Sequence, residues 1–187
     1  MPPKVKITKG DIIDTALALV RKSSTAALNA RSVAEALGCS TQPVFSNFKT
    51  MEQLLESVTL AAQELYLDFL RAEAERGKYP TYKAFGMAYI RFAREERELF
   101  KLLFMCDRGG EPGAPSQDFE DSVTMIMNAN SIPREEAERM HIEMWVAVHG
   151  IATMFATSFL TLDWELVSEM LTDIYQGIRA RHLGKES

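Results

Sequence analysis

The sequence predicts an all-α fold of about nine helices, with a three-helix N-terminal domain and a larger helical C-terminal domain. Three observations support this fold class. Apolar residues recur three and four positions apart along most of the 187 residues, which is the spacing of one helix face. Helix-capping residues and glycine or proline stops separate these stretches. No segment of strand length alternates between apolar and polar residues, and no internal repeat is present.

The composition is typical of a globular protein, with 47% hydrophobic and 25% charged residues. No run approaches the roughly 18 apolar residues of a membrane span, and the N-terminal MPPKVKITKGD lacks the apolar part of a signal peptide. We therefore expect a cytoplasmic protein without a membrane partner. Cys39 and Cys106 lie outside any CxxC motif, so reduced structural thiols are expected, and a redox role stays open.

The first helix is predicted over residues 9–22. Thr8-Lys9-Gly10-Asp11 resembles a capping box, in which the first and fourth residues exchange hydrogen bonds at the helix start. Ile12, Ala16 and Val20 recur at a spacing of four. One face of this helix is therefore expected to be buried.

The next two helices are short and are joined by a tight turn. Asn29 is a good N-cap for a helix over residues 30–37, and Gly38 supplies a left-handed stop. Ser40 is expected to cap the second helix, and Pro43 falls in its first turn, where a missing N–H has no consequence. Two short helices around a glycine turn form a helix-turn-helix, whose second helix enters the DNA major groove.

A long helix is predicted over residues 50–76, because Thr50 opens a capping box and Gly77 stops the apolar pattern. Residues 81–105 are also expected to be helical. The charged run at residues 94–97 interrupts their apolar spacing, so we expect two separate helices there.

The C-terminal part begins with the sequence DRGGEPGAPS at residues 107–116, which predicts a loop. Helices are predicted over residues 118–130, 133–160 and 164–183. The last two are joined by a turn too short for any arrangement except antiparallel neighbours. Both carry apolar residues on more than one face, which exceeds the needs of one intrachain contact and predicts a partner subunit.

Charge is distributed unevenly along the chain. The net charge of −5 divides into +4 over residues 1–50 and −9 over residues 51–187. The basic end coincides with the helix-turn-helix, as expected for a DNA-reading domain attached to a domain that does not bind DNA. We therefore predict a DNA-binding domain at residues 1–50 and a second domain at residues 51–187.

Within residues 29–55 the sequence resembles the tetracycline-repressor (TetR) family of transcriptional regulators. The matching residues are Val33-Ala34, Gly38-Cys39-Ser40, Val44-Phe45, Asn47-Phe48 and Leu54-Leu55. Three positions depart from the family pattern: Phe45 replaces the usual tyrosine, Asn47 a histidine and Met51 a lysine. Further along, Trp145, His149 and Gly150 resemble the Trp-His-Gly group of C-terminal domains in this family.

This resemblance implies a ligand-responsive regulator, most simply a repressor released from double-stranded operator DNA by a small-molecule inducer. It also implies a ligand-binding and dimerisation domain at residues 51–187. The inducer cavity would lie among the middle helices, and a homodimer would form through the last two. The inducer, the operator, the regulated genes and the direction of the ligand effect are not specified by the sequence.

The candidate DNA contacts lie in and around the second helix of the motif. Gln42 is predicted to read a base, because its amide can hydrogen-bond to adenine through two atoms. Thr41, Pro43 and Phe45 are predicted to touch a thymine methyl group. The predicted phosphate contacts are Arg31, Ser40, Asn47 and Lys49.

The candidate ligand contacts are aromatic rings and flexible thioethers, which suit an apolar cavity as well as an ordinary core. They are Tyr66, Phe69, Tyr89, Phe104, Met125, Met144 and Trp145. The candidate dimer contacts are Ile151, Phe155, Val167, Met170, Leu171, Ile174 and Ile178.

The sequence gives less support to other functions. His141 and Glu143 diverge on a helix and His149 is distant, so neither a metal site nor a cofactor is expected, and a structural His149 is favoured. No nucleophile elbow, phosphate-binding glycine loop or HExxH motif is present, so an enzyme is not expected. A helical protein-binding adaptor and a helical enzyme without a recognisable motif stay open. A steep loss of affinity with salt would favour DNA over the adaptor's apolar protein contacts.

Overall fold

The computed structural model describes residues 7–107 and 117–184. Over these residues the chain contains α-helices and a short 3₁₀ turn at Thr25–Ala27, and no strand. The helices are α1 (Lys9–Ser23), α2 (Ala30–Ala36), α3 (Gln42–Asn47), α4 (Met51–Glu75), α5 (Thr81–Glu95), α6 (Arg97–Phe104), α7 (Gln117–Asn130), α8 (Arg134–Ala156) and α9 (Trp164–Leu183). The predicted all-α fold of about nine helices is confirmed. None of the described helices is long and apolar enough to cross a membrane.

Most helix starts and stops follow the predicted local signals. At α1, Asp11 N–H donates to Thr8 Oγ1 at 3.1 Å, and Thr8 N–H donates to the Asp11 carboxylate at 2.8 Å. At α2, the Asn29 side chain accepts from two backbone N–H groups of the first turn. Gly38 has a left-handed φ of 65° just beyond α2. The predicted interruption also occurs, because α5 ends at Glu95 and α6 begins at Arg97.

The start of α3 differs from the prediction. Ser40 does not cap this helix, because the N-cap is Thr41, whose backbone is already helical with φ −70° and ψ −11°. Thr41 makes no side-chain capping bond. Pro43 is the second residue of α3 and therefore lies in the first turn, as predicted.

The end of α8 comes earlier than the predicted residue 160. Ser158 adopts a left-handed φ of 57° directly after the helix. Ser158 N–H then donates to the carbonyl of Phe155 at 3.1 Å, and Phe159 N–H donates to that of Met154 at 3.0 Å. This pair of bonds is a Schellman stop with serine at the position that glycine usually occupies.

The chain divides into two compact units. The first consists of Met1–Leu67 and Glu96–Cys106, and the second of Asp68–Glu95 and Asp107–Ser187. Helix α4 begins in the first unit and ends in the second without a break. The functional boundary at residue 50 stays a prediction, since the units are defined by packing. Apart from Asp107, the predicted loop at residues 107–116 lies outside the described residues.

In the first unit, α1 packs against α2 and α6, and α2 packs against α3. The predicted apolar face of α1 is fully buried. Arg21 near the end of α1 also holds α6, because its Nε donates to Glu96 at 2.7 Å and a second guanidinium nitrogen pairs with the same carboxylate. The buried apolar residues of this unit include Ile12, Ala16, Val20, Val33, Ala34, Val44, Phe48, Leu54, Val58, Leu99 and Phe100.

In the second unit, α8 is the central helix and packs against α5, α7 and α9. The contact between α8 and α9 agrees with their prediction as neighbours. The buried apolar residues of this unit include Met87, Ile90, Phe92, Val123, Ile126, Met140, Met144, Ile151, Phe155, Val167 and Leu171.

Candidate nucleic-acid interface and ligand-binding region

Helix α3, which we call the reading helix, buries one side chain and exposes most of the others. Val44 is buried in the first unit. Gln42, Phe45, Ser46 and Asn47 are exposed, while Thr41 and Pro43 are half-buried. Phe45 stands out because 56% of its surface is exposed on a helix of only six residues. The reading helix therefore presents one aromatic and three polar side chains to solvent.

Two of the exposed side chains are hydrogen-bonded to the reading helix itself. The Ser46 hydroxyl donates to the carbonyl of Gln42, and Asn47 Nδ2 donates to the carbonyl of Pro43, both at 2.8 Å. The side-chain amide of Gln42 makes no hydrogen bond within residues 7–107 or 117–184. Gln42 is therefore available to an external partner, whereas Ser46 and Asn47 each have one donor already in use.

Positive charge without an internal partner is concentrated in the first unit. Within the described chain, four exposed cations of this unit form no ion pair with a carboxylate: Lys9, Lys22, Arg31 and Lys49. In the second unit most of the described cations pair with carboxylates, and the exceptions are Lys78, Lys83 and Arg179. The paired ones are Arg71, Arg76, Arg91, Arg94, Arg134, Arg139 and Arg181. Among the described residues, the unit that carries the reading helix thus has the larger share of cations without a carboxylate partner, which suits contact with a polyanion.

The connection from the reading helix to α4 is fixed by hydrogen bonds. Gln53 N–H donates to Thr50 Oγ1 at 3.3 Å, which is one half of the predicted capping box. The Gln53 side chain accepts from the backbone N–H of Lys49 at 3.0 Å, one residue earlier than a regular capping box requires. Lys49 therefore has an ordered backbone and an exposed side chain.

The seven predicted ligand residues are distributed over both units. Tyr66 and Phe104 lie in the first unit, where their rings meet edge to face at 5.1 Å. In the second unit, Phe69 contacts Phe92 at 5.3 Å. Met125 is half-buried on α7, and Met144 is buried on α8. Trp145 is partly exposed and stacks on His149, with ring centres 5.1 Å apart.

Two surface depressions occur near these elements. A groove of about 570 Å³ follows one face of α4 in the first unit and is lined by Glu52, Leu55, Glu56, Thr59, Leu60 and Gln63. A second, of about 220 Å³, lies in the second unit beside Lys78, Tyr79, Glu165, Ser168 and Glu169. Neither is lined by any of the predicted ligand residues. The ligand assignments therefore stay predictions.

Two tyrosine–histidine pairs join α5 to α8. Tyr82 lies 3.0 Å from Nδ1 of His141, and Tyr89 lies 2.9 Å from Nδ1 of His149. Burial lowers the pKa of both histidines and raises the pKa of Tyr82 well above its ordinary value. Each tyrosine hydroxyl therefore shares a hydrogen bond with a neutral imidazole. The two pairs fix the position of α5 along α8.

Sequence reasoning expected a structural role for His149 but missed its tyrosine partner and the Tyr82 pair. The signal was present, because the tyrosines are seven residues apart and the histidines eight, which is about two helical turns on each helix. Each histidine bonds a different tyrosine. The described residues contain no group of three potential metal ligands.

Glu73 is a buried carboxylate that sequence reasoning also missed. It lies near the end of α4 and pairs with Arg76 at 2.9 Å and with Arg91 at 3.0 Å. Arg91 and Arg94 in turn lie over the ring of Trp164, at 5.4 and 4.5 Å from its centre. This cluster joins α4, α5 and α9 within the second unit.

The predicted dimer residues fall into two groups. Ile151, Phe155, Val167 and Leu171 are buried within the second unit itself, so their side chains belong to the chain's own core. Met170, Ile174 and Ile178 are half-buried on α9. Other apolar side chains of the same region are exposed instead, namely Ile142, Trp145, Val146, Phe159, Leu160 and Leu166.

Comparison with known proteins links the chain to one family. Residues 82–174 match the family described as tetracyclin repressor-like, C-terminal domain. No curated protein sequence matches the chain. Two solved structures share the fold over most of its length. A protein of unknown function from Rhodococcus sp. RHA1 has a TM-score of 0.74 and 22% identity, covering 95% of this chain and 98% of that one. The multidrug binding protein EbrR, complexed with imidazole, has a TM-score of 0.60 and 17% identity, covering 89% and 88%.

Proposed function

We propose that this chain is a repressor that acts as a homodimer on a palindromic operator, since it belongs to the tetracycline-repressor family of transcriptional regulators. We further propose that a small apolar ligand releases it from DNA. DNA binding and regulation of transcription follow from the family. The observation that carries the proposal is the reading helix, which exposes Gln42 and Phe45 in a unit where four exposed cations have no carboxylate partner among the described residues.

The proposed division of labour on DNA follows from the hydrogen bonds already made. Gln42 keeps both its amide donors and its acceptor, so it can bond to an adenine edge. Phe45 has no polar group and suits the methyl group of thymine, with Thr41 and Pro43 beside it. The phosphate contacts proposed are Arg31, Ser40, Asn47 and Lys49, of which Asn47 retains one free amide hydrogen.

The proposed homodimer uses the exposed apolar side of α8 and α9. Trp145 and Val146 follow Ile142 by three and four positions on α8, so all three exposed side chains lie on one side of the helix, and Leu166 is exposed on α9. A contiguous apolar face of this kind on a folded chain favours burial against a second copy. We therefore expect Val146→Glu to produce monomers in sedimentation experiments, while Thr124→Glu on an exposed position of α7 leaves the dimer intact. A monomeric wild-type protein at micromolar concentration would contradict the dimer proposal.

The proposed mechanism is positional. Two reading helices of a dimer fit successive major grooves only when they are about 34–36 Å apart. A ligand that binds better to another arrangement of the dimer shifts the population away from this spacing and weakens DNA binding. A ligand screen by thermal stabilisation, followed by operator binding with each hit, tests this step. Hits that leave operator affinity unchanged would contradict release by the ligand.

The central experiment is selection from a random duplex library with the purified protein at moderate salt, followed by sequencing. An enriched inverted repeat with half-sites about one helical turn apart would support a dimeric regulator and provide its operator. Repression is then tested with a reporter gene downstream of that operator. Absence of any enriched motif, together with no binding at low salt, would refute the proposal and favour the adaptor or enzyme reading.

A further inference from the structure

Phe48 brings a lysine from another helix to the end of the reading helix. Phe48 is the C-cap of α3 and is buried in the first unit, so its ring is a fixed platform. The ammonium group of Lys9, the first residue of α1, lies 5.1 Å from the centre of that ring. Lys49 follows Phe48 in sequence, and its backbone N–H is held by the Gln53 side chain. One lysine from a distant part of the sequence therefore lies over the buried ring, and a second lysine directly follows the residue that carries the ring.

The charge of Lys9 is positioned but not neutralised. A ring face attracts a cation through its quadrupole and carries no net charge of its own. The neighbouring carboxylate of Asp11 is engaged by the backbone N–H and the hydroxyl of Thr8, at 2.8 and 2.7 Å. Lys9 and Lys49 form no ion pair within the described residues. Both side chains are exposed, so each ammonium can reach an external anion.

We propose that Lys9 is a DNA phosphate contact, and that Lys9 and Lys49 together hold the DNA backbone at the C-terminal end of the reading helix. An ammonium is a compact point charge with three donors, which suits a phosphodiester oxygen and carries no base preference. This inference rests on the proposed DNA-binding function. It adds a residue of α1 to the proposed DNA interface, and the contact of that residue does not depend on the base sequence of the DNA.

Lys78 supplies a matched control. Its ammonium lies over the ring of Tyr79 at 5.2 Å, almost the same geometry as that of Lys9 over Phe48. Lys78 is also exposed, but it lies in the second unit. Loss of charge should therefore have a similar effect on local packing at both positions. Only the loss at Lys9 should weaken DNA binding.

The test uses full-length wild-type protein and the variants Lys9→Met, Lys9→Arg and Lys78→Met. Methionine keeps an apolar stem over the ring without the charge, and arginine keeps the charge. Affinity is measured by fluorescence anisotropy between low and moderate salt, on the selected operator and on a scrambled duplex. The slope of log affinity against log salt concentration is negative. For a dimer, loss of two phosphate contacts reduces the magnitude of this slope by about 1.8.

We expect Lys9→Met to reduce the magnitude of this slope. The variant should also bind the operator and the scrambled duplex more weakly by the same factor, on the order of tenfold or more at low salt. Lys9→Arg and Lys78→Met should behave as wild type. An unchanged slope for Lys9→Met would overturn the inference, and a lower melting temperature in that case would assign Lys9 to packing on Phe48. Wild-type protein that binds neither duplex would refute the proposed function as well, which separates the two failures.

Discussion

Replacing the buried carboxylate of Glu73 by an amide tests whether an ion-pair cluster holds the second unit together. The Glu73 side chain is only 3% exposed, whereas its partners Arg76 and Arg91 are 54% and 18% exposed. The Nε atom of Arg91 is buried and makes no hydrogen bond within the described chain. Glu73→Gln would therefore leave the Arg91 guanidinium in a confined site beside a neutral group.

The expected loss of stability follows from this burial. Breaking a buried, hydrogen-bonded ion pair by removing one charge costs about 3–5 kcal/mol. For a chain of this size, one kcal/mol lowers the melting temperature by about 2–4 °C, so we expect a decrease of about 6–20 °C. Glu135→Gln is the control, because Glu135 and its partner Arg139 are 80% and 67% exposed. An exposed helix pair contributes only about 0.3–0.5 kcal/mol, which corresponds to a decrease of less than about 2 °C.

The assay is thermal unfolding of both variants and the wild type, followed by far-UV circular dichroism at one protein concentration. A fixed concentration is needed because dimerisation would make the melting temperature depend on it. Equal melting temperatures for Glu73→Gln and Glu135→Gln would refute the reasoning. That result would mean that the carboxylate is exchangeable for any group of the same shape.

Three further predictions concern the cap, the reading helix and the histidines. Asn29→Ala removes the acceptor of two N–H groups at the start of α2 and should lower the free energy of unfolding by about 1 kcal/mol in urea titrations; no change would show that water replaces the cap. Gln42→Ala should weaken operator binding about 5- to 150-fold and relax one base position in a repeated selection. Equal loss on all sequences would remove Gln42 from base readout. Since burial lowers the pKa of His141 and His149 below the ordinary 6.5, the unfolded chain takes up protons first as the pH falls. The free energy of unfolding should therefore be constant above neutral pH and decline below about pH 6.5. The urea midpoint of a His141→Gln, His149→Gln double variant should depend less on pH than that of the wild type. An unchanged pH dependence would contradict this assignment.

Local signals were sufficient to predict most of the helices. Asn29 and Gly38 act on neighbouring residues only, so their effects on α2 can be worked out without the fold. The interruption between α5 and α6 was predictable in the same way, because charged residues replace the apolar ones that a continuous buried face requires. The end of α8 was not, since Ser158 adopts a backbone conformation for which serine has no particular preference.

The reading helix was predicted better than the second unit for a related reason. Whether Gln42 is available to an external partner depends on a helix of six residues and the side chains of that helix. The spacing of residues along the sequence is enough to describe so short an element. The burial of Ile151, Phe155, Val167 and Leu171 depends on which apolar face of α8 or α9 turns inward. The spacing of apolar residues does not distinguish the face that packs inside the chain from the face that stays exposed. The partners of Glu73 and of the two histidines lie on other helices, so no one-dimensional pattern identifies them.

The first unit is assembled from two separate stretches of sequence, and this limits how such regulators can recombine. Helix α6 belongs to that unit and contributes Leu99 and Phe100 to its core, although the whole of α5 precedes it in the chain. A genetic crossover between α3 and α4 would transfer the reading helix and α1 without α6, the helix that packs against α1. A functional hybrid would need a second exchange covering residues 96–106. Changes of DNA specificity in this protein are therefore expected to arise through point substitutions on the reading helix more readily than through exchange of whole domains.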